Sequence, residues 1–178
     1  MRRIHLIVAG LLTLAPMTGF IQAQAQAQST GFSPRPAESG AQAFALGATT
    51  ASQFAIAASH QALKKSQDLK VKKLAEQIIA DYEAGLSYIL ETAASANLRI
   101  PETLDAEHSA RLERLAAAGV GQIDTLYRSE VGRVHEAAIA LFTGYISSGD
   151  NLRFRLIAAR ALPTLKDHYA NVQLLAQR

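Results

Sequence analysis

Between Leu69 and Ala96 the apolar residues Val71, Leu74, Ala75, Ile78, Ile79, Tyr82, Leu86, Ile89, Leu90 and Ala93 recur in steps of three and four. That spacing returns the same face of a helix at every turn, so the segment reads as one long amphipathic helix. Two more follow. One spans about 122–147, with Ile123, Leu126, Tyr127, Val131, Val134, Ala138, Leu141, Phe142 and Tyr145 on its stripe. The other spans about 152–176, with Leu162, Leu165, Tyr169, Val172 and Leu175. An earlier helix begins near Thr50, where Thr50 and Gln53 form a capping-box pattern. Its apolar face of Phe54, Ala55, Ala58 and Ala62 is mostly small, which lets a neighbouring helix approach closely. No segment past Ala41 sustains the period-two alternation of a strand.

Punctuation residues divide these elements. Pro101 ends the first long helix, and Gly119 with Gly121 breaks a short helix near 105–117 from its successor. Gly149 suits a helix C′ position, and Asp150 or Asn151 can cap the last helix. Pro163 removes one hydrogen bond, to the carbonyl of Ala159, and should kink that helix rather than end it. Glu107 with Arg111, Asp124 with Arg128, and Glu130 with Arg133 are spaced as ion pairs on outer faces. Four amphipathic helices on short connections, with one short extra helix, predict an all-α, antiparallel four-helix bundle.

The ends bound where such a bundle works. The 178-residue chain opens MRRIHLIVAGLLTLAPMTGFIQAQAQAQ, with two arginines, an apolar run to about Phe20 and alternating small residues. This is the pattern of a secretory signal peptide with cleavage near Ala25 or Ala27. It implies a periplasmic or extracellular location in a bacterium. Residues 28–40 (QSTGFSPRPAESG) read as a flexible lead, and 41–178 as a single bundle domain. No later segment is long and apolar enough to span a bilayer. There is no cysteine, which excludes disulfides, thiolate metal sites and thiol nucleophiles. Removing Arg2 and Arg3 with the leader lowers 18 basic residues to 16, against 15 acidic ones. That near-balance excludes the concentrated positive field of a nucleic-acid-binding protein. The cluster Lys64, Lys65, Lys70, Lys72 and Lys73 reads as a solvated helix face with Glu76 as a partner, or alternatively as a contact for an anionic envelope surface.

Three polar residues interrupt the stripes: Tyr82, His135 and His168. Facing helices of a bundle bind metal through such inward groups. The di-iron carboxylate pattern also needs two glutamates and two Glu-x-x-His pairs. Here the residues three before the histidines are Gly132 and Leu165, and the inward positions of the first helix are Ala55 and Ala58. Glu136 and Asp167 point ~100° away from their neighbouring histidines. A mononuclear site of His135, His168 and Tyr82, or Asp81 after a rotamer change, stays open for zinc, copper or iron held weakly. The alternative is two interior histidines hydrogen-bonded to tyrosine or to a carbonyl, such as the one freed near Pro163. His60 and His108 fall on polar faces. Asp124 and His135 lie on nearly one side of a helix but ~16 Å apart, too far for a dyad. No G-x-S-x-G, phosphate loop or H-E-x-x-H occurs, so catalysis is not expected.

The stretches FAIAASHQALKKS, VKKLAEQIIADYEAGLSYI, IDTLYRSEVGRVHEAAIALF and LRFRLIAARALPTLKDHYANVQLL resemble a family of secreted bacterial proteins, domain of unknown function 4142. The resemblance covers about 44–175. Its most specific parts are Asp124 and Tyr127 followed by His135, and LPTLKDH, from Leu162 through Pro163 to His168. It implies a ferritin-like bundle and an envelope location. The family pattern places Asp-His where this chain has Asp81-Tyr82, and glutamate on the first helix where it has Ala55 and Ala57. The combined reading is a non-enzymatic exported bundle, envelope- or stress-related, with Tyr82, Asp124, Tyr127, His135, Pro163 and His168 as interior or structural residues and no resident cofactor. A weak mononuclear metal or redox protein, and an envelope module that docks a protein partner, are the alternatives.

Overall fold

The computed structural model describes residues 40–176, all within one compact unit. The signal-peptide and most of the lead assignments therefore lie outside the described residues. Five helices follow in order: α1 (Gly40–Lys65), α2 (Leu69–Ser95), α3 (Ala106–Ala117), α4 (Val120–Ser148) and α5 (Leu152–Ala176). Among the described residues there is no strand. No helix among them is long and apolar enough to cross a membrane.

The four long helices form a square in which α1 packs on α2 and α4, and α5 packs on α2 and α4. Three-residue links turn α1 into α2 and α4 into α5, so each pair is an antiparallel hairpin. The second hairpin starts where the first began to turn. Lys65, at the end of α1, donates from Nζ to the carbonyls of Leu115 (3.4 Å), Ala116 and Ala118 (3.0 Å), just before α4. At the opposite end Gln42 of α1 donates to the Arg99 carbonyl beyond α2 (2.7 Å). The chain must therefore travel the length of the bundle between α2 and α4, and α3 makes that crossing against α1 and α4. This is a four-helix bundle with one long crossover.

Caps explain the boundaries. The Asp68 carboxylate accepts from the amides of Lys70 (2.7 Å) and Val71 (3.4 Å), and Asp105 accepts from His108 N (2.9 Å). Asn151, rather than Asp150, caps α5 through the amides of Arg153 (3.0 Å) and Phe154 (3.2 Å). Asp150 instead accepts from the Tyr145 hydroxyl (2.8 Å). Asn97 takes the left-handed conformation (φ 54°) that closes α2, a position where asparagine costs less than most residues.

Three expectations need correction. α1 starts at Gly40, about ten residues before the Thr50–Gln53 capping pattern, which lies inside the helix. Phe44, Ala45 and Ala48 are buried there and continue the apolar face one period further back, so packing extends the helix through Thr50. Gly149 is extended (φ −63°, ψ 141°), not left-handed. Its requirement is steric, because a Cβ there would lie 2.5 Å from the Tyr145 ring and 2.6 Å from the Tyr145 carbonyl. Leu90 is 40 % exposed although it falls on the α2 stripe.

Small residues on α1 bring its neighbours close: Ala45, Ala48, Ala55, Ala58 and Ala62 are all buried. At one end Phe44 meets Tyr145 (ring centroids 4.2 Å), Phe142 (5.0 Å) and Phe154 (5.6 Å). Near the other end Ser59 and Tyr127 share a hydroxyl bond of 2.9 Å between α1 and α4. The surface pairs are also revised. Glu107 lies 3.9 Å from Arg111, but Arg128 donates to Thr125 rather than pairing with Asp124. Glu130 turns inward, away from Arg133. Arg111 Nε donates to it at 2.7 Å and Arg114 at 3.5 Å, both from α3. The Arg111 guanidinium also covers the Phe54 ring at 4.6 Å, fixing α3 to both α1 and α4.

Candidate functional site

The three helix faces predicted to carry inward polar groups converge. Tyr82 of α2, His135 of α4 and His168 of α5 form a triangle with ring centroids 5.4 Å (Tyr82–His135), 6.1 Å (Tyr82–His168) and 5.5 Å (His135–His168). Both histidines are fully buried, and Tyr82 nearly so.

Hydrogen bonds set the state of each imidazole. His135 Nδ1–H donates to the Val131 carbonyl one turn earlier (2.8 Å). A carbonyl only accepts, so the lone pair of the neutral ring sits on Nε2. His168 Nε2–H donates to the Asp81 carboxylate (2.9 Å), which leaves its lone pair on Nδ1. The partner of His168 is thus a side chain of α2, not the Ala159 carbonyl freed by Pro163, and Asp81 reaches it directly. Pro163 itself is exposed and α5 continues through it. Burial lowers the His135 pKa to about 4, against the opposing Val131 bond, with His168 nearby adding to the fall. Burial also lowers His168, opposed by Asp81 and Asp167. Both shifts favour the neutral form of the ring. Burial pushes the Tyr82 hydroxyl well above the ordinary phenol range, with a smaller contribution from Tyr127.

Three polar atoms of this triangle are buried without a partner: Tyr82 Oη, His135 Nε2 and His168 Nδ1. Each such atom costs about 1–3 kcal/mol unless something meets it. A cleft of about 460 Å³ between α2 and α5 reaches the cluster from outside, with Asp81, Tyr82 and His168 in its wall and Phe142, Ile89 and Leu165 among its apolar lining. Arg160, Thr164 and Ser52 also line it. None of these three was singled out from the sequence, because their only signal is proximity across helices.

The remaining candidates stand apart. Tyr127 is bonded to Ser59, and burial raises its pKa to about 12 while that bond opposes the rise. Asp124 keeps one buried carboxylate oxygen without a partner, and no bond joins it to His135. His60 is exposed as expected, but His108 is half-buried, its ring 5.5 Å from Phe54 and its Nδ1 2.8 Å from Asp105. The di-iron centre of ferritin-like bundles does not fit. Ala55 and Ala58 occupy the inward face of α1, and among the described residues no three His, Cys, Asp or Glu side chains come together as a metal site. An ion at the triangle would rest on two imidazoles and the phenol.

The chain is therefore an all-α four-helix bundle with a buried Tyr–His–His cluster. It belongs to the family described as domain of unknown function (DUF4142), whose model matches residues 22–175. Among solved structures it is similar to the crystal structure of a DUF305 fragment from Deinococcus radiodurans. That similarity has a TM-score of 0.69 at 16 % identity over 81 % of this chain and all of the fragment, and it concerns the fold. No curated protein matches the chain.

Proposed function

We propose that this is an exported, non-enzymatic bundle that holds one late first-row divalent metal ion between Tyr82, His135 and His168. One observation carries the reading. Each buried imidazole gives its N–H to an oxygen and leaves its opposite nitrogen buried and unpartnered. A histidine whose far N–H is held by a carbonyl or carboxylate is the form that ligates metals, because the bond fixes the tautomer and raises basicity. Nitrogen ligands lie about 2 Å from such an ion, which puts the ring centroids of two shared ligands ~5 Å apart. The observed 5.5 Å is compatible with that spacing. Two nitrogens and a phenol oxygen suit zinc or copper rather than magnesium or calcium. With only three protein ligands the affinity is modest. Asp81 orients His168 without ligating, and the α2–α5 cleft supplies an entry path. Export rests on the arginines, apolar run and small-residue pattern of residues 1–27.

Elemental analysis and calorimetric titration of the untagged protein with zinc and copper(II) test the reading. The expected result is one ion per chain, lost in His135→Ala and His168→Ala and weakened about 10–100-fold in Asp81→Ala. Absence of binding, or binding indifferent to His135→Ala, refutes the site and leaves one buried water as the shared partner of the three atoms. For export, N-terminal sequencing of the protein from a periplasmic fraction should begin at Gln26 or Gln28. An intact Met1 would sink that half.

A further inference from the structure

We infer that the end of the bundle opposite the Phe44 aromatic cluster is a docking surface for an anionic phospholipid bilayer. Several segments meet there. The three-residue link places Lys64 of α1 beside Leu69 and Lys70 of α2. A groove of about 330 Å³ brings Lys70, Lys73 and Leu74 of α2 against Leu174 and Leu175 of α5. Lys65, bonded to the Ala118 carbonyl, draws Val120 at the start of α4 to the same end. Three large apolar side chains stand out into solvent here: Leu69 (79 % exposed), Leu174 (60 %) and Val120 (53 %). They lie among Lys64, Lys70 and Lys73, all exposed. Of the nearby carboxylates, Asp68 is engaged in capping α2, and Glu76 lies a turn and a half beyond Lys70.

The occupant follows from the chemistry of the patch. Exposed leucines among lysines gain nothing from a hydrated anion such as free phosphate. A bilayer of acidic lipid offers phosphates for the ammonium groups and an acyl boundary for the leucines. Long lysine stems lie along apolar surface while their charged ends reach outward, which suits this interface. The overall near-balance of charge does not oppose the contact, because attraction at a membrane surface acts within about one Debye length, ~8 Å at physiological salt. The inference stands independently of the metal reading, since none of these residues touches the Tyr82 cluster.

Sedimentation with vesicles tests it, using phosphatidylcholine alone and phosphatidylcholine mixed with phosphatidylglycerol. The protein should sediment with the mixed vesicles and not with the neutral ones, and added salt should release it. Lys70→Gln with Lys73→Gln should lower partitioning about thirty-fold. Leu69→Ser with Leu174→Ser should lower it comparably, and Leu152→Ser with Leu156→Ser at the other end should leave it unchanged. All six side chains are exposed, and circular dichroism checks that each variant stays folded. Equal binding to both vesicle types, binding to neither, or binding indifferent to the lysine and leucine changes at this end would overturn the inference.

Discussion

Replacing Arg111 by alanine removes the cation that faces a buried carboxylate. The Glu130 side chain is 4 % exposed and that of Arg111 11 %, with Nε and Oε2 2.7 Å apart. The second cation, Arg114, is mostly exposed and lies 3.5 Å from the other carboxylate oxygen, so it cannot replace the lost contact. Deleting one partner of a buried pair leaves an uncompensated charge and costs about 3–5 kcal/mol. Loss of the guanidinium over Phe54 adds about 0.5–1 kcal/mol. At roughly 3 °C per kcal/mol for a domain of this size, Arg111→Ala should lower Tm by ~10–18 °C. Circular dichroism melts and urea titration measure it. Glu107→Ala is the internal control, because the Glu107 side chain is 80 % exposed and lies 3.9 Å from Arg111, and it should cost under ~0.5 kcal/mol. Replacing Arg111 and Glu130 together by leucine and methionine should recover most of the loss, since an apolar pair needs no counter-charge. If Arg111→Ala costs less than ~1 kcal/mol, the pair does not anchor α3 and the reasoning from burial fails.

Other perturbations follow from single contacts. Gly149→Ala should destabilise by about 1–3 kcal/mol in a thermal melt, because its Cβ would meet both the Tyr145 ring and the Tyr145 carbonyl. His168→Ala should lose about 2–4 kcal/mol by emptying a buried ring site, while exposed Asp81 stays solvated. Pro163→Ala restores an amide donor inside α5 and should raise stability by ~1 kcal/mol or more, with a wild-type far-ultraviolet spectrum. Zinc or copper(II) at about one hundred times its Kd should stabilise the wild type by ~2.7 kcal/mol, reversibly with EDTA, and leave His135→Ala unmoved.

Much of the fold was legible because helical periodicity is a local signal. Stripes such as Val71–Leu74–Ile78–Tyr82 predicted both the helices and the faces they bury. The start of α1 was misread because Thr50 and Gln53 imitate a cap, and only packing of Phe44 against Phe142, Tyr145 and Phe154 shows that the helix continues past them. Glu130 was misread for a related reason. Its spacing from Arg133 suits a surface pair, and nothing local reveals that α3 brings Arg111 over it. The inward aim of Tyr82, His135 and His168 was also visible, since each follows the three-and-four rhythm of its helix.

What the sequence determined by itself was the set of helices, their apolar faces and the absence of a four-glutamate iron centre, all properties of residues a few positions apart. Only the tertiary structure decided that α3 crosses the bundle, that Asp81 holds His168, and that two imidazole nitrogens and one phenol are left buried without partners. Those facts join residues as far apart as Asp81 and His168. A helix fixes which way a side chain faces, but which groups meet there depends on the neighbouring helices.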